Sequence, residues 1–331
     1  MQAAGERRDA KRGRRNGRAP LTAAAIDLGT NNCRLLIGMR ENGRLRVVDS
    51  YSRIVRLGEG VTHSGLLAEE AIERTLAALK VCADRLAKKK VSRVRAIATE
   101  ACRRAANANE LVERARAETG IALDIISTDE EARLAAVGCM PLLGREHEGA
   151  LIFDIGGGST ELIWIRRTDA KPEVVSAASL PIGVVMLSER HGLDARLEDV
   201  MSSTRPLVEK LARDMHKRGA FPHDTHHLLG TSGTITTLAA IAMGLSRYDR
   251  RRVDASWHDT ASITGVIDSL ATLDHSARMN MGCVGRDRAD LMLPGCAIFK
   301  AIVETWPCTR LRVADRGLRE GILRELVGLA A

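Results

Sequence analysis

A chain of 331 residues has room for two domains with sizeable buried cores. Hydrophobic residues at 45% and charged residues at 28% are the balance of a globular, soluble protein, and no run of 18 or more apolar residues offers a membrane span. The formal net charge is +8, but aromatics are only 2% of residues, which argues against a single-strand nucleic-acid platform built on base stacking.

The charge sits mostly at the start of the chain. Residues 1–20, "MQAAGERRDAKRGRRNGRAP", hold seven Lys/Arg against Glu6 and Asp9, a surplus of +5 that leaves +3 for everything after. This segment reads as a disordered basic tail. It has no apolar h-region, so it is not expected to act as a secretory signal. The seven cysteines are scattered, odd in number and without a C-x-x-C pair. Free thiols in a reducing cytosol fit that pattern better than a disulfide frame or a zinc site, and a cytoplasmic location is expected.

Next comes "AIDLGTNNCRLLI" (25–37), an apolar strand, D-x-G, a short polar turn and a second apolar strand. Residues 68–90 repeat apolar side chains at 72, 76, 79, 83 and 86, one face of a helix. "RVRAIAT" (93–99) reads as a strand running into one helical stretch that ends at Gly120. "IALDIIS" (121–127) reads as a strand, followed by a helix over about 129–143.

The D-x-G pattern then returns in "LIFDIGGGSTELIW" (151–164). At a constant offset of 127, Asp27 falls on Asp154, Gly29 on Gly156, and Arg34 on Glu161. The matched spacing predicts a duplicated domain. "HHLLGTSGTITTLAAIA" (226–242) reads as strand, Gly-rich turn and helix, and "TRLRVADRGLREGILRELVGLA" as a strand and a terminal helix. The nine histidines show no recurring ligand spacing and read as surface or loop residues. Strands alternating with helices predict α/β sheets covered by helices.

Two D-x-G domains facing each other across a cleft resemble the plan of the actin, sugar-kinase and Hsp70 fold. The ordered series "AIDLGTNNCRLLI", "AIATEACRRAANANE", "IISTDEEARLAAVG", "LIFDIGGGSTELIW", "LPIGVV", "GTSGTITTLAA", "RADLMLPG" and "RVADRGLREG" resembles, more closely, the exopolyphosphatase and guanosine pentaphosphate phosphatase (Ppx/GppA) family. The resemblance runs from about residue 23 to 325. It implies two duplicated ribonuclease-H-like (actin-like ATPase) domains, about 21–130 and 131–315, with the active site between them. The helix of about 316–331 is expected to pack back on the first domain. The first loop reads T-N-N-C where the family commonly has S-N-S, and "GTSGT" has Ser where the family commonly has a second central glycine. The chain resembles the short members, which lack extra C-terminal helical domains. A homodimer is also plausible by resemblance.

Phosphoryl transfer to water needs the phosphate chain held, its charge neutralised and a water aimed at phosphorus. Backbone N–H groups across Gly156, Gly157, Gly158 and Ser159 can form an anion-binding concavity, with hydroxyls from Ser159 and Thr160. Gly29, Thr30, Asn31, Asn32 and Arg34 form the facing copy. Gly230, Thr231, Ser232 and Gly233 open a helix whose N-terminus suits another phosphate. Asp154 is the candidate to hold Mg²⁺ (or Mn²⁺), with Asp27 its counterpart and Glu161 a further candidate for the metal shell.

For the catalytic base, "STDEEAR" offers Asp129, Glu130 and Glu131. Both Ser127 with Glu130 and Thr128 with Glu131 fit a capping box, so capping leaves the choice open. The resemblance implies Glu131, and it implies that Arg103 faces the same cleft. The expected function is hydrolysis of terminal phosphate from inorganic polyphosphate, with guanosine pentaphosphate as the alternative substrate. A non-hydrolytic polyphosphate or nucleotide sensor is the alternative from another class, against which Glu131 and Asp154 count. A sugar kinase would need an adenine pocket and a sugar-facing aspartate, and neither pattern is evident.

Overall fold

Among the residues described by this computed structural model, 21–168, 172–217, 219, 221 and 224–329, the chain forms two sheets. The basic tail, residues 1–20, lies outside the described residues. The first sheet comprises β1 (Thr22–Leu28), β2 (Asn32–Glu41), β3 (Arg44–Ile54), β4 (Arg93–Ala98) and β5 (Leu123–Ile125), in the order β3-β2-β1-β4-β5. β1, β2 and β3 are antiparallel neighbours, whereas β4 runs parallel to β1 and β5 parallel to β4.

The second sheet comprises β6 (Gly149–Ile155), β7 (Thr160–Arg166), β8 (Glu173–Leu180), β9 (His226–Thr231), β10 (Trp257–Asp259) and β11 (Arg310–Ala314), in the order β10-β11-β9-β6-β7-β8. Without the antiparallel edge strand β10, the remainder repeats the first sheet in order and direction. The 127-residue offset holds in the backbone, because Thr22–Leu28 maps onto Gly149–Ile155. The expected pair of ribonuclease-H-like, actin-like ATPase domains is therefore present.

The pleat of β1 explains its composition. Ala24, Ile26 and Leu28 point into one core with Ile72, Leu76 and Leu79 of helix Glu69–Lys88. Ala23 and Ala25 point the other way, against Ile322 and Leu323 of helix Leu318–Leu326. In β6, Leu151, Phe153 and Ile155 face the large core, while Ala150 and Ile152 face Ala132, Ala135 and Ala136 of helix Thr128–Cys139. That helix also sends Leu134 to the core under β1.

These two helices therefore lie between the sheets, and they meet backbone to backbone. A Cβ added to Gly138 would fall 1.9 Å from Gly317 O, and one on Gly321 would fall 2.0 Å from Leu134 O. The close approach admits only glycine at either point. It fixes the helix bearing Glu131 against the helix bearing Arg319.

Two local expectations are corrected. The helical stretch after β4 is two helices, Glu100–Arg104 and Ala108–Thr119. The break is held by Asn107, whose side chain accepts from Leu67 N at 2.8 Å and donates to Leu67 O at 3.1 Å. Gly120 caps the second helix at φ 72°, as a left-handed residue should. His226 and His227 are buried, because β9 is a central strand covered on both faces. His227 lies edge-on to Trp257, accepts from Gly144 N at 3.2 Å, and is driven by burial down to about pKa 4.

The seven cysteines are free and buried. Among the described residues, no helix is long and apolar enough to cross a membrane.

Candidate active site

Both D-x-G turns close in the same way: Gly29 N donates to Asn32 O and Gly156 N to Ser159 O, each at 2.9 Å. The hairpin registers place Asp27 beside Arg34 and Asp154 beside Glu161. The two turns meet across a cleft of about 560 Å³. A Cβ on Gly157 would lie 2.9 Å from Thr30 Cβ, and one on Gly158 would lie 2.8 Å from Thr30 Oγ1. None of Gly29, Gly156, Gly157 or Gly158 has a left-handed φ. For Gly157 and Gly158 the requirement is thus one of space: the facing turn occupies the volume that side chains would fill, whereas a Cβ on Gly156 would meet Ser159 O of its own turn at 2.9 Å.

Each turn is locked from behind. Asn31 O accepts from Val55 N and Arg56 N, and Thr30 O accepts from Gly58 N. On the other side, Gly156 O and Gly157 O accept from Val184 N and Val185 N at 3.0 and 2.9 Å. With those carbonyls turned away, the N–H groups of Gly157, Gly158 and Ser159 have no acceptor among the described residues, and the three residues line the cleft. Such a row of free N–H groups is a concavity for an anion.

Asn32, Thr231, Ser232 and Gly233 line the same cleft. Ser232 caps helix Gly233–Ala242, its Oγ accepting from Ile235 N at 3.3 Å, but at φ 139° and ψ 169°. That backbone region is nearly reserved for glycine. Two expected phosphate contacts fall outside the cleft. The Thr160 hydroxyl donates to Ile182 O at 2.9 Å, and Gly230 is packed under Phe153 and Ile235.

The capping ambiguity in "STDEEAR" has a geometric answer. Ser127 is the N-cap and its Oγ accepts from Glu130 N at 3.2 Å. The Glu130 carboxylate leaves the cap for Arg95 and Arg133, and Arg133 first, then Arg95, hold it down at about pKa 2. Glu131 turns to the cleft instead. Burial, then the neighbouring Glu161 charge, push its carboxyl well above the usual range, against the pull of Arg103. Arg103 itself does not line the cleft. Its Nη1 donates to Glu131 Oε2 at 2.7 Å and to Ile126 O at 3.0 Å, and its Nη2 to Glu100 Oε2 at 2.8 Å. It is the clamp on Glu131.

Asp27, Asp154, Glu131 and Glu161 line one floor. Burial raises Asp154 to about 7, partly offset by Arg34 and reinforced by Glu131 and Asp27. Asp27 is raised mainly by burial, against Arg34 and Arg319. Glu161 is raised by burial and by Asp154, although its Oε1 accepts from Ser159 Oγ at 2.7 Å and Ser179 Oγ at 3.0 Å. Four enclosed carboxyls that repel one another make a hard-oxygen donor set short of positive charge. Among the described residues, no three His, Cys, Asp or Glu side chains form a ready metal-binding group. Carboxylate oxygens are the ligand type that a hard divalent cation such as Mg²⁺ takes, and of the four the hairpin register sets Asp154 beside Glu161.

Sequence reasoning left Arg319 without a role. It enters the cleft from the first turn of helix Leu318–Leu326, near Asp27 and Arg34, and burial lowers its pKa. No hydrogen bond or ion pair holds its guanidinium among the described residues. The available signal was position: "ADRGLREG" follows the end of parallel strand β11, where sites of open α/β sheets gather.

A model of the Ppx/GppA phosphatase family matches residues 36–329. Exopolyphosphatase 2 of Mycobacterium tuberculosis is 32% identical over 322 residues, 92% of this chain and 98% of that protein. The crystal structure of the Aquifex aeolicus Ppx/GppA family member is 32% identical, with a TM-score of 0.77 over 93% of this chain and 98% of its own. An exopolyphosphatase structure from Cytophaga hutchinsonii shares the fold at 24% identity, with a TM-score of 0.83 over 94% of this chain and 99% of its own.

Proposed function

The chain belongs to the Ppx/GppA phosphatase family and is a phosphoanhydride hydrolase; on that premise we propose that it releases terminal phosphate from inorganic polyphosphate, using a water activated by Glu131 and a divalent cation, Mg²⁺ or Mn²⁺, at Asp154. The observation that carries this reading is Glu131, a carboxyl of raised pKa, clamped by Arg103 at the meeting of the two D-x-G turns. A base that gains and loses its proton near neutral pH is matched to activating water.

The N–H groups of Gly157, Gly158 and Ser159 receive the terminal phosphate, and Arg319 and Arg34 offset its charge. Asp154, with Asp27 and Glu161 beside it, would hold the cation. When bound, that cation neutralises charge on the phosphate oxygens. Glu131 takes the proton of the attacking water as its oxygen bonds to the terminal phosphorus. The bridging P–O bond breaks, and the bridging oxygen leaves with a chain one phosphate shorter.

The test is phosphate release from long polyphosphate, tripolyphosphate and guanosine pentaphosphate, side by side, with and without Mg²⁺. Polyphosphate turnover with the highest kcat/KM supports the reading. Turnover confined to guanosine pentaphosphate would move it to the nucleotide, and tight polyphosphate binding without release would make the chain a sensor.

A further inference from the structure

The segment after β3, residues 55–60, backs the first D-x-G turn. Val55 N and Arg56 N donate to Asn31 O at 2.9 and 3.0 Å, and Gly58 N donates to Thr30 O at 2.8 Å. A Cβ on Gly58 would lie 2.2 Å from Thr30 Cγ2, so the segment lies flat on the turn it supports. Arg56 holds φ 47°, a left-handed backbone that a non-glycine residue keeps only where its surroundings over-determine it.

Two carboxylates of the second domain reach this segment. Glu189 Oε1 accepts from Gly60 N at 2.9 Å, and Asp290 Oδ2 pairs with Arg56 Nη2 at 3.3 Å. Glu189 belongs to helix Val184–His191, whose first two residues are the donors that lock Gly156 O and Gly157 O. Gly183, just before that helix, lies so close to the second turn that a Cβ there would sit 2.3 Å from Gly157 C. One continuous path therefore runs from Thr30 and Asn31 through the 55–60 segment and Glu189 to Gly156 and Gly157. Neither Glu189 nor Asp290 lines the cleft.

We infer that Glu189 is a positioning residue for the reaction: through Gly60 on one side and Val184 and Val185 on the other, it holds the two phosphate-binding turns in register across the cleft, with Asp290 as a second tether. The inference rests on the reading of the cleft as the phosphate-releasing site. The terminal phosphate lies where the two turns meet, and a displacement of about 1 Å in such a constellation costs up to about 10²-fold in rate. A carboxylate that accepts from a backbone N–H makes a short, strong contact suited to fixing that distance. Glu189 Oε2 and Asp290 Oδ1 are each buried without a hydrogen-bond partner among the described residues. An unpaired buried carboxylate oxygen lowers stability, so these contacts are a weak means of holding the domains together and a specific means of setting their register.

The experiment compares the full parent chain with Glu189→Ala, which removes the acceptor, and Glu189→Gln, which keeps an oxygen for Gly60 N. Hydrogen exchange is measured at the amides of Gly60, of Val55, Arg56 and Gly58, and of Val184 and Val185; kcat and KM are measured for tripolyphosphate well below the Tm. Glu189→Ala is expected to lose protection at all three sets and about tenfold in kcat/KM, with the pH profile in place because Glu131 and Arg103 are untouched. Glu189→Gln is expected to match the parent in both. Lost protection at Gly60 alone, parental kcat/KM in Glu189→Ala, or a Gln variant as impaired as the Ala variant would overturn the role. If Glu189→Ala does not fold, Asp290→Ala takes its place, and parental protection at Val55, Arg56 and Gly58 would likewise overturn it. Should the parent release no phosphate, the cleft reading fails, and hydrogen exchange still decides whether Glu189 holds the two turns in register.

Discussion

Arg103 Nη1 donates to Glu131 Oε2 at 2.7 Å, and the same guanidinium grips Glu100, so the residue expected to touch substrate instead holds the residue expected to activate water. Arg103→Gln removes the clamp and its positive charge. The charge now lowers the Glu131 pKa, so its loss raises it further. A base must be deprotonated to act, so the acid limb of the kcat/KM profile should move to higher pH, with kcat down by roughly 10²-fold. An unmoved pH profile would show that Arg103 acts elsewhere.

The enclosed carboxylates make a second prediction. Asp154 keeps its proton to about pH 7 in the folded chain, against 3.8 ordinarily. The folded state binds more protons between those values, so stability falls as pH rises from about 4 to about 7, and the loss is complete above that. Asp154→Asn is free of this penalty. Its Tm should exceed that of the parent by a margin that opens over that window and stays constant at higher pH. Added Mg²⁺ should raise the Tm of the parent far more than that of the variant. Parallel Tm curves for the two proteins would mean that Asp154 carries neither the charge penalty nor the cation.

Much of this site was legible in the sequence, for identifiable reasons. A D-x-G hairpin is a local device, set by strand pattern and turn glycines, so Asp27, Asp154 and the 127-residue offset could be read directly. Local pattern left Glu131 and Glu130 equal, and in the sequence only the family resemblance separated them; the physical reason lies in the fold. The choice depends on Arg95 and Arg133 drawing Glu130 away, which no local pattern encodes. The same holds for Arg319, which comes from a segment more than 200 residues from Asp27 and meets it in the cleft only when the domains pack. His226 and His227 were misplaced because their burial follows from β9 being central in its sheet. The purpose of Gly157 and Gly158 was half visible: the anion-binding concavity and the facing copy with Thr30 were read, but not that Thr30 itself fills the space beside the two glycines.

Ser232 sits at φ 139° where a glycine would be unstrained. Ser232→Gly gives up a side-chain cap worth a few tenths of a kcal/mol relative to glycine, and relieves a strain of about 1–3 kcal/mol. The variant should be more stable by about 1 kcal/mol in urea unfolding, with phosphate release within a few-fold of the parent. A destabilised variant would show that the Ser232 hydroxyl does more than cap the helix.

Gly321 lets the helix of Arg319 rest on the backbone of the helix of Glu131. Gly321→Ala forces the two apart and should cost about 2–3 kcal/mol of stability. Because the same contact positions both residues, kcat should fall even at temperatures where the variant is folded. Normal kcat in the folded variant would mean that the crossing supports the fold alone.

The role of Glu131 is the centre of the account, and its isosteric replacement by Gln tests it most directly. Phosphate release from polyphosphate by Glu131→Gln is measured at saturating substrate, alongside the affinity of the variant for labelled polyphosphate. The account predicts a kcat lower by roughly 10²–10⁴-fold with binding within a few-fold of the parent. Near-parental kcat in a folded variant that binds normally would contradict it and remove Glu131 from the chemistry.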